Sequence, residues 1–317
     1  MPDQTTVTIA EIEAQFTGLN RGDSSFAEIE QVLETYQRTY CEVYRRFGEK
    51  HLPVSAFKHA EIATFPVSEA ECVFVSSATG SGLRSRHFVR RLAVYDASVC
   101  AAFEAVFGKG PYTIWAHLPG YSTESSLVCM LKILIQRYGD ERSQFFLASE
   151  PPGNLDATSP LVLFGAAFGL LSLSEAGPWQ LPQNARIVET GGMKTHQRDI
   201  TRRELHARLA EGFGIQEEHV WSEYGMCELL SQAYAQGGPV YVPPPWMHVR
   251  VVDPHNPKQI LSDGQPGLIA VTDLANIHTV SSILTEDLGV SHGEGFEVLG
   301  RFPGSALRGC NFLLESA

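Results

Sequence analysis

Arg186-Ile-Val-Glu-Thr-Gly-Gly-Met-Lys194 is a short run of strand-forming residues that breaks into a double glycine. Seven residues on, Thr201-Arg-Arg-Glu204 opens an apolar period at Leu205, Leu209 and Phe213, which Gly214 stops. The first stretch predicts a strand over 186–189. The second predicts a helix with a capping box at Thr201 and Glu204, and a hydrophobic staple between Ile200 and Leu205. A strand, a glycine turn and a capped helix make one βα unit. The alternation continues upstream with a strand over 112–118, a helix over 125–138, strands over 144–148 and 161–165, and a helix over 166–173. Cys72-Val-Phe-Val-Ser76 reads as a buried strand running into a Gly/Ser-rich loop. Residues 70–235 therefore predict an α/β fold with a mostly parallel sheet covered by helices.

Both flanks differ in character. Near the start, Ser25 and Glu28 form a capping box. Phe26, Ile29, Val32, Leu33, Tyr36, Tyr40, Val43, Tyr44 and Phe47 then recur at three and four, and Gly48 closes the helix. Beyond Gly237, the run Gly-Gly-Pro-Val-Tyr-Val-Pro-Pro-Pro is rich in breakers, and short strands over 247–253, 259–262 and 267–273 predict a β-rich C-terminal subdomain.

Composition narrows the function classes. The 317 residues are 44% hydrophobic and carry a net charge of −12, a globular composition whose charge argues against a nucleic-acid backbone as the main partner. The longest apolar run, 161–171, is too short to span a bilayer. The first residues lack the basic-then-apolar order of a secretory signal, so the expectation is a cytoplasmic protein with reduced thiols. Its six cysteines, Cys41, Cys72, Cys100, Cys129, Cys227 and Cys310, include no CxxC pair, which argues against a zinc site.

Four segments carry possible chemistry. Ser76-Ser77-Ala78-Thr79-Gly80-Ser81-Gly82 precedes Arg84 and Arg86, and its hydroxyls, glycines and nearby arginines suit a phosphate. It lacks the Gly-Lys-Ser/Thr ending of a Walker A loop, and a plain linker reads the same way. Gly191-Gly192 lets a flat ring approach the backbone at the carboxyl end of a strand, where open α/β sheets bind ligands, or it is simply a tight βα turn. Tyr224-Gly-Met-Cys-Glu228 sets an aromatic ring beside a carboxylate able to hold Mg²⁺, or, as the segment alone reads more simply, it is an ordinary strand and loop. Asp287 and Arg301, if close, clamp the two hydroxyls of a ribose; otherwise they are a turn residue and a surface arginine.

The order of these segments is that of adenylate-forming enzymes. The chain resembles the acyl-protein synthetases of bacterial bioluminescence, the long-chain-fatty-acid–luciferin-component ligases. The likeness is carried by Leu118-Pro-Gly-Tyr-Ser-Thr-Glu-Ser-Ser-Leu-Val, by Thr272-Asp-Leu-Ala-Asn-Ile through Glu286-Asp-Leu-Gly, and by Glu297-Val-Leu-Gly-Arg-Phe with Arg308-Gly-Cys-Asn. More distantly it is similar to phenylacetate–coenzyme A ligases. The resemblance implies the large-domain architecture of these enzymes, with an N-terminal helical segment over 1–70, a nucleotide-binding α/β core over 71–236, and a β-rich subdomain with its tail over 237–317. It implies ATP and Mg²⁺ as cofactors, a carboxylic acid of the fatty class as substrate, and an acyl-accepting reductase protein as partner. It places Ser76, Ser77, Thr79 and Gly80 at the phosphates, Gly191, Gly192 and Tyr224 at the adenine, Glu228 at Mg²⁺, Asp287 at the ribose, Arg301 at the hinge, and the acyl group on Cys310.

Two departures stand out. Ala78 replaces the usual loop glycine, and the lysine that normally follows is absent, leaving Arg84 or Arg86 as candidates for its charge. The resemblance to the acyl-protein branch also carries the expectation that the small C-terminal lysine domain of larger ligases is absent. An acyl-coenzyme A ligase that needs a partner subunit, or a non-catalytic binding subunit of a reductase complex, is the alternative. His117 either lines the acyl pocket or is a satisfied core histidine.

Overall fold

The computed structural model describes residues 8–16, 25–76, 83–118, 122–150, 159–191 and 200–302. Among sequence candidates, Ser77, Thr79, Gly80, Gly192 and Cys310 lie outside them.

Helix α1 (Ile9–Phe16) precedes α2 (Phe26–Tyr40), whose capping box at Ser25 forms as expected. The long apolar period then breaks, because Cys41 is extended (φ −96°, ψ 103°), and α3 (Glu42–Phe47) follows up to Gly48 at φ +79°. Next come β1 (Leu52–Pro53), α4 (Ala56–His59), β2 (Cys72–Val75), β3 (Arg86–Val89) and α5 (Leu92–Phe107). The central units are β4 (Thr113–His117), α6 (Ser126–Tyr138), β5 (Gln144–Phe145), β6 (Leu161–Ala166), α7 (Ala167–Glu175), β7 (Arg186–Thr190), α8 (Arg202–Phe213), β8 (Val220–Tyr224) and β9 (Ala233–Gln236). The C-terminal strands are β10 (Val240–Tyr241), β11 (Met247–Asp253), β12 (Asn256–Ile260), β13 (Pro266–Asp273), β14 (Ser282–His292) and β15 (Gly295–Arg301).

The central sheet has the order β5-β4-β6-β7-β8-β9, parallel throughout except for β9. Parallel strands must be covered on both faces, and here the two faces make separate cores. Trp115, Leu163, Ile187 and Val220 pack under α7 and α8, while Ile114, Val162, Phe164 and Val188 pack under α5 and α6. The second sheet is mostly antiparallel, in the order β10-β15-β14-β13-β11-β12, with β1 parallel to β14. The two sheets meet through Tyr224, Tyr241, Ile283 and Phe296, which share one apolar cluster.

Two features differ from the sequence reading. The strand at Cys72 does not join the parallel sheet: β2 pairs only with β3, as an antiparallel hairpin in which Val75 faces Arg86, so the Gly/Ser-rich segment joins two hairpin strands. The N-terminal elements also pack directly against the C-terminal sheet. Gln37, fully buried on α2, donates from Nε2 to the carbonyls of Asn276 (2.8 Å) and Ile277 (3.1 Å). Its Oε1 accepts from the Ser281 amide and hydroxyl, both at 3.0 Å. Replacing Gln37 by Leu strands these buried partners, so we expect a loss of about 2–4 kcal/mol in urea unfolding at unchanged m-value.

Candidate active site

The candidate site lies where β7 and β8 end and the second sheet begins. Each local feature has a simple origin. Gly191 follows the last residue of β7 with φ +103°, a conformation that favours glycine, and a Cβ added there would meet nothing within 4 Å. That point is open among the described residues. Thr190 and Glu223 are register partners, so the next residues, Gly191 and Tyr224, leave adjacent strands together.

Tyr224 is buried, its ring set edge-on against Phe296 at 5.2 Å and tilted against Tyr241 at 5.7 Å. Its hydroxyl donates to Asp287 Oδ2 at 3.0 Å. Asp287 and Arg301 are register partners on β14 and β15, with Arg301 Nε 3.3 Å from Asp287 Oδ1 and Nη1 3.3 Å from Glu286. Burial pushes the Asp287 carboxyl up, and Arg301 and the Tyr224 hydroxyl pull it back. Burial and the neighbouring Asp287 charge raise the Tyr224 phenol, which keeps its proton and remains a donor. The sequence-predicted trio is thus a hydrogen-bonded carboxylate held between a phenol and a guanidinium. In the Tyr224→Phe variant Asp287 loses its buried donor, and we expect binding of ATP, the cofactor the resemblance implies, to weaken about 10-fold with near-ultraviolet circular dichroism unchanged.

Glu228 stands on the segment after β8. It is buried, and no lysine, arginine or histidine nitrogen lies within ion-pair distance among the described residues. Burial raises its carboxyl; Ser85 beside it, and then Lys58 and Arg301, lower it in part. The Ser85 hydroxyl is itself buried without a hydrogen-bond partner among the described residues. The Ser85 amide donates to Ser76 Oγ at 2.9 Å, and the Ser76 amide donates to the Ser85 carbonyl at 3.1 Å. Ser76 at the mouth of the hydroxyl-rich loop is therefore tied to the serine that neighbours Glu228. A carboxylate with no cation beside it suits a hard cation. Among the described residues no group of three or more His, Cys, Asp or Glu side chains converges.

Sequence reasoning missed the supports of this site. Asp273 receives the Leu230 amide at 2.9 Å, the Ser231 hydroxyl at 2.6 Å and the Ala275 amide at 3.0 Å, while burial pushes its carboxyl up to about 6. Asn276 donates to the Glu228 carbonyl at 2.8 Å. Both belong to Thr272-Asp-Leu-Ala-Asn-Ile, which the sequence offered only as resemblance. His87, buried on β3, bonds the Cys227 carbonyl at 2.8 Å and Thr279 at 3.2 Å; burial holds its imidazole down at about 4, so it is neutral.

Behind β7 and β8, Glu189 binds Arg202 and Ser222, and His206 Nε2 lies 2.9 Å from Ser222 Oγ. The composition is that of a nucleophile relay, but the carboxylate grips the serine itself, and the group is buried. It anchors α8, whose Arg202 also sits 5.2 Å over the Tyr241 ring. His117 is buried against Phe146 at 4.9 Å, and its Nδ1 has no partner among the described residues.

All five described cysteines are free. Burial raises every one of them: Cys100 and Cys129 to about 11, and Cys41, Cys72 and Cys227 above the ordinary thiol value.

Comparison with known proteins agrees with the fold. The fold is similar to that of 2-hydroxyisobutyryl-CoA ligase in its postadenylation state with 2-HIB-AMP, with a TM-score of 0.63 and 16% identity over 98% of this chain and 74% of that one. It is also similar to ATP-bound MatB from Rhodopseudomonas palustris, with a TM-score of 0.54 and 18% identity over 75% of this chain and 49% of that one. The chain spans about half the length of MatB. No curated protein matches it. The family model described as "Acyl-protein synthetase, LuxE" matches residues 156–317, which begin before β6 and include Tyr224, Glu228, Asp287, Arg301 and Cys310. With that match over half its length, the chain belongs to the LuxE acyl-protein synthetase family.

Proposed function

We propose that this protein activates a carboxylic acid with ATP and passes the acyl group to a cysteine thiol. The observation that carries this reading is the convergence of residues far apart in sequence. Ser76 is tied to Ser85 and Ser85 neighbours Glu228; Arg301 acts on both Glu228 and Asp287, and Asp287 holds Tyr224 beside the open Gly191 turn. Such a set holds a phosphate at one end and a ribose and a base at the other.

In this mechanism a substrate carboxylate oxygen attacks the α-phosphorus of ATP, and pyrophosphate leaves. Asp287 accepts the ribose hydroxyls, held in place by Tyr224 and Arg301. Gly191 and Gly192 leave room for the base, while Ser76, Ser77, Thr79 and Gly80 offer hydroxyls and amides to the phosphates. Glu228 would hold Mg²⁺, which would supply positive charge against the phosphates. In the second step a thiolate attacks the acyl carbonyl, a carbon–sulfur bond forms, and the bond to AMP breaks. Cys310 is the acceptor we propose, with Arg301 and Arg308 nearby in sequence to favour its thiolate. A reductase thiol then receives the acyl group, and the substrate is a fatty acid or a derivative of one. Free thiols suit a cytoplasmic setting, and no described helix is long and apolar enough to cross a membrane.

The test is carboxylate-dependent ATP–pyrophosphate exchange, followed by intact mass after incubation with ATP, Mg²⁺ and a panel of acids. Exchange with an acyl mass increment supports both steps. Exchange alone supports activation with an external acceptor such as coenzyme A. The absence of both leaves a binding subunit.

A further inference from the structure

On the face of the central sheet opposite Glu189, the ends of β7 and β8 hold a second buried polar group that the mechanism above does not use. Glu223 Oε2 accepts from the hydroxyl of Thr190, the last residue of β7. Glu223 is also the register partner of Tyr234 on β9. Its other oxygen lies under Gly225: a Cβ there would sit 2.3 Å from Glu223 Oε1 and 3.6 Å from Gln232 Cγ. Glu223, Gln232 and Tyr234 are 5%, 4% and 3% exposed, yet Tyr234 Oη and Gln232 Oε1 have no hydrogen-bond partner among the described residues.

Two orphaned polar atoms on residues that flank a buried carboxyl weaken the fold unless something else satisfies them. Around them the face is apolar, with Phe107 edge-on to Tyr234 at 5.7 Å and Val188 and Leu230 in the same core. The phenol offers a proton and the amide oxygen accepts one, so the partner that satisfies both is a neutral group that accepts and donates at once. A hydroxyl does this; a methylene or methyl group does neither. The group also stands at the carboxyl ends of adjacent parallel strands, where open α/β sheets take their ligands, and it runs directly into Gly191 and Tyr224.

We propose that Glu223, Gln232 and Tyr234 form a polar subsite that receives a hydroxyl carried on the acid being activated, so that a hydroxy-substituted carboxylic acid is preferred over the plain alkyl acid. This rests on the activation reading. Burial pushes the Glu223 carboxyl up to about 7, so near neutrality it offers both a proton and a lone pair to such a hydroxyl.

The experiment measures exchange by the full chain with straight-chain acids and their hydroxy derivatives, the hydroxyl stepped along the chain. A site that hydrogen-bonds a substrate hydroxyl discriminates strongly against the analogue lacking it. One hydroxyl position should therefore be preferred on the order of 100-fold in kcat/KM. In Tyr234→Phe and Gln232→Met that preference should fall below about 5-fold, with the plain acid gaining as the orphaned group is removed. Preference for the plain acid, or a preference that survives both variants, overturns the subsite; the three residues then enclose only a permanent water. If no acid supports exchange, the activation reading fails separately. The same acid pairs are then read by thermal shift, where stabilisation by the hydroxy acid that is lost in Tyr234→Phe supports the subsite and equal shifts overturn it.

Discussion

Cys310→Ser is expected to abolish the hydroxylamine-labile acyl label while leaving carboxylate-dependent exchange within about 2-fold of the parent. The two steps use different groups, and the thiol acts only after the acyl adenylate exists. Serine in its place is a far weaker nucleophile without a dedicated base. The structure sharpens this expectation by elimination. Thiolate, not thiol, attacks, and each of the other five cysteines is raised by burial above its ordinary value. Cys227 is the nearest rival because it adjoins Glu228, but its thiol is buried, lies 3.9 Å from the Ser85 carbonyl, and is pushed up further by the Glu228 charge. Label persisting in the serine variant would show that one of these cysteines reaches the adenylate after all; peptide mapping of the labelled site decides which.

Glu228→Gln is expected to lower exchange on the order of 100-fold and to raise the melting temperature in the same protein. A neutral amide of nearly the same shape holds Mg²⁺ poorly, and that loss is catalytic. The gain in stability comes from removing a buried charge with no cation in ion-pair distance among the described residues. The pH dependence follows from the sign of the shift. The folded carboxyl is raised above its ordinary value of 4.5, so the folded state binds a proton more tightly than the unfolded one. Below that value both states are protonated, and Glu and Gln should be alike in stability. As pH rises above it, the unfolded chain ionises first, the parent loses stability, and the advantage of Gln grows until the folded carboxyl also ionises. Melting curves from pH 4 to pH 8 check this. An advantage that is constant with pH would mean that the carboxylate is already compensated and is not waiting for a cation.

How much of this was legible depends on whether a signal was local. Thr201 and Gly214 mark the two ends of α8, and half of the expected box forms: the Thr201 hydroxyl accepts from the Glu204 amide at 3.1 Å, while the Glu204 carboxylate accepts from Arg208 at 2.6 Å, and Gly214 sits at φ +70°. Asp287 and Arg301 were legible only as a clamp if close; the sequence reading held no strand over either, and the antiparallel pair that sets these residues, fourteen apart, face to face comes from the fold. Helix α5 left no amphipathic trace, because Val94, Tyr95, Ser98, Val99, Ala102 and Phe103 are buried around most of its circumference. Gln37 was invisible for the opposite reason. It lies on a helix whose face is otherwise apolar, and its four partners come from a turn some 240 residues away. The chain order of motifs gave Tyr224 and Glu228 their roles, but only the fold shows Ser85 joining the hydroxyl loop to Glu228.

Strand β1 has a consequence for how the protein is made. Leu52 and Pro53 pair with Ile283 and Leu284, and the Val54 amide donates to the Leu284 carbonyl at 2.9 Å. At ribosomal speeds of about 5–20 residues per second, the roughly 230 residues between these partners take on the order of 10–50 seconds to synthesise. Throughout that interval the apolar face of α2 and α3 and the strand itself have left the exit tunnel without the sheet that buries them. The core under α7 and α8 draws only on residues from Trp115 to Val220 and is free to form while the chain grows, whereas the opposite face of the sheet shares its core with Ile12, Ile29 and Leu33 and with Leu274 and Ile277. The order of assembly in the cell therefore runs from the middle outward, and the earliest part of the protein to be translated is among the last to be secured.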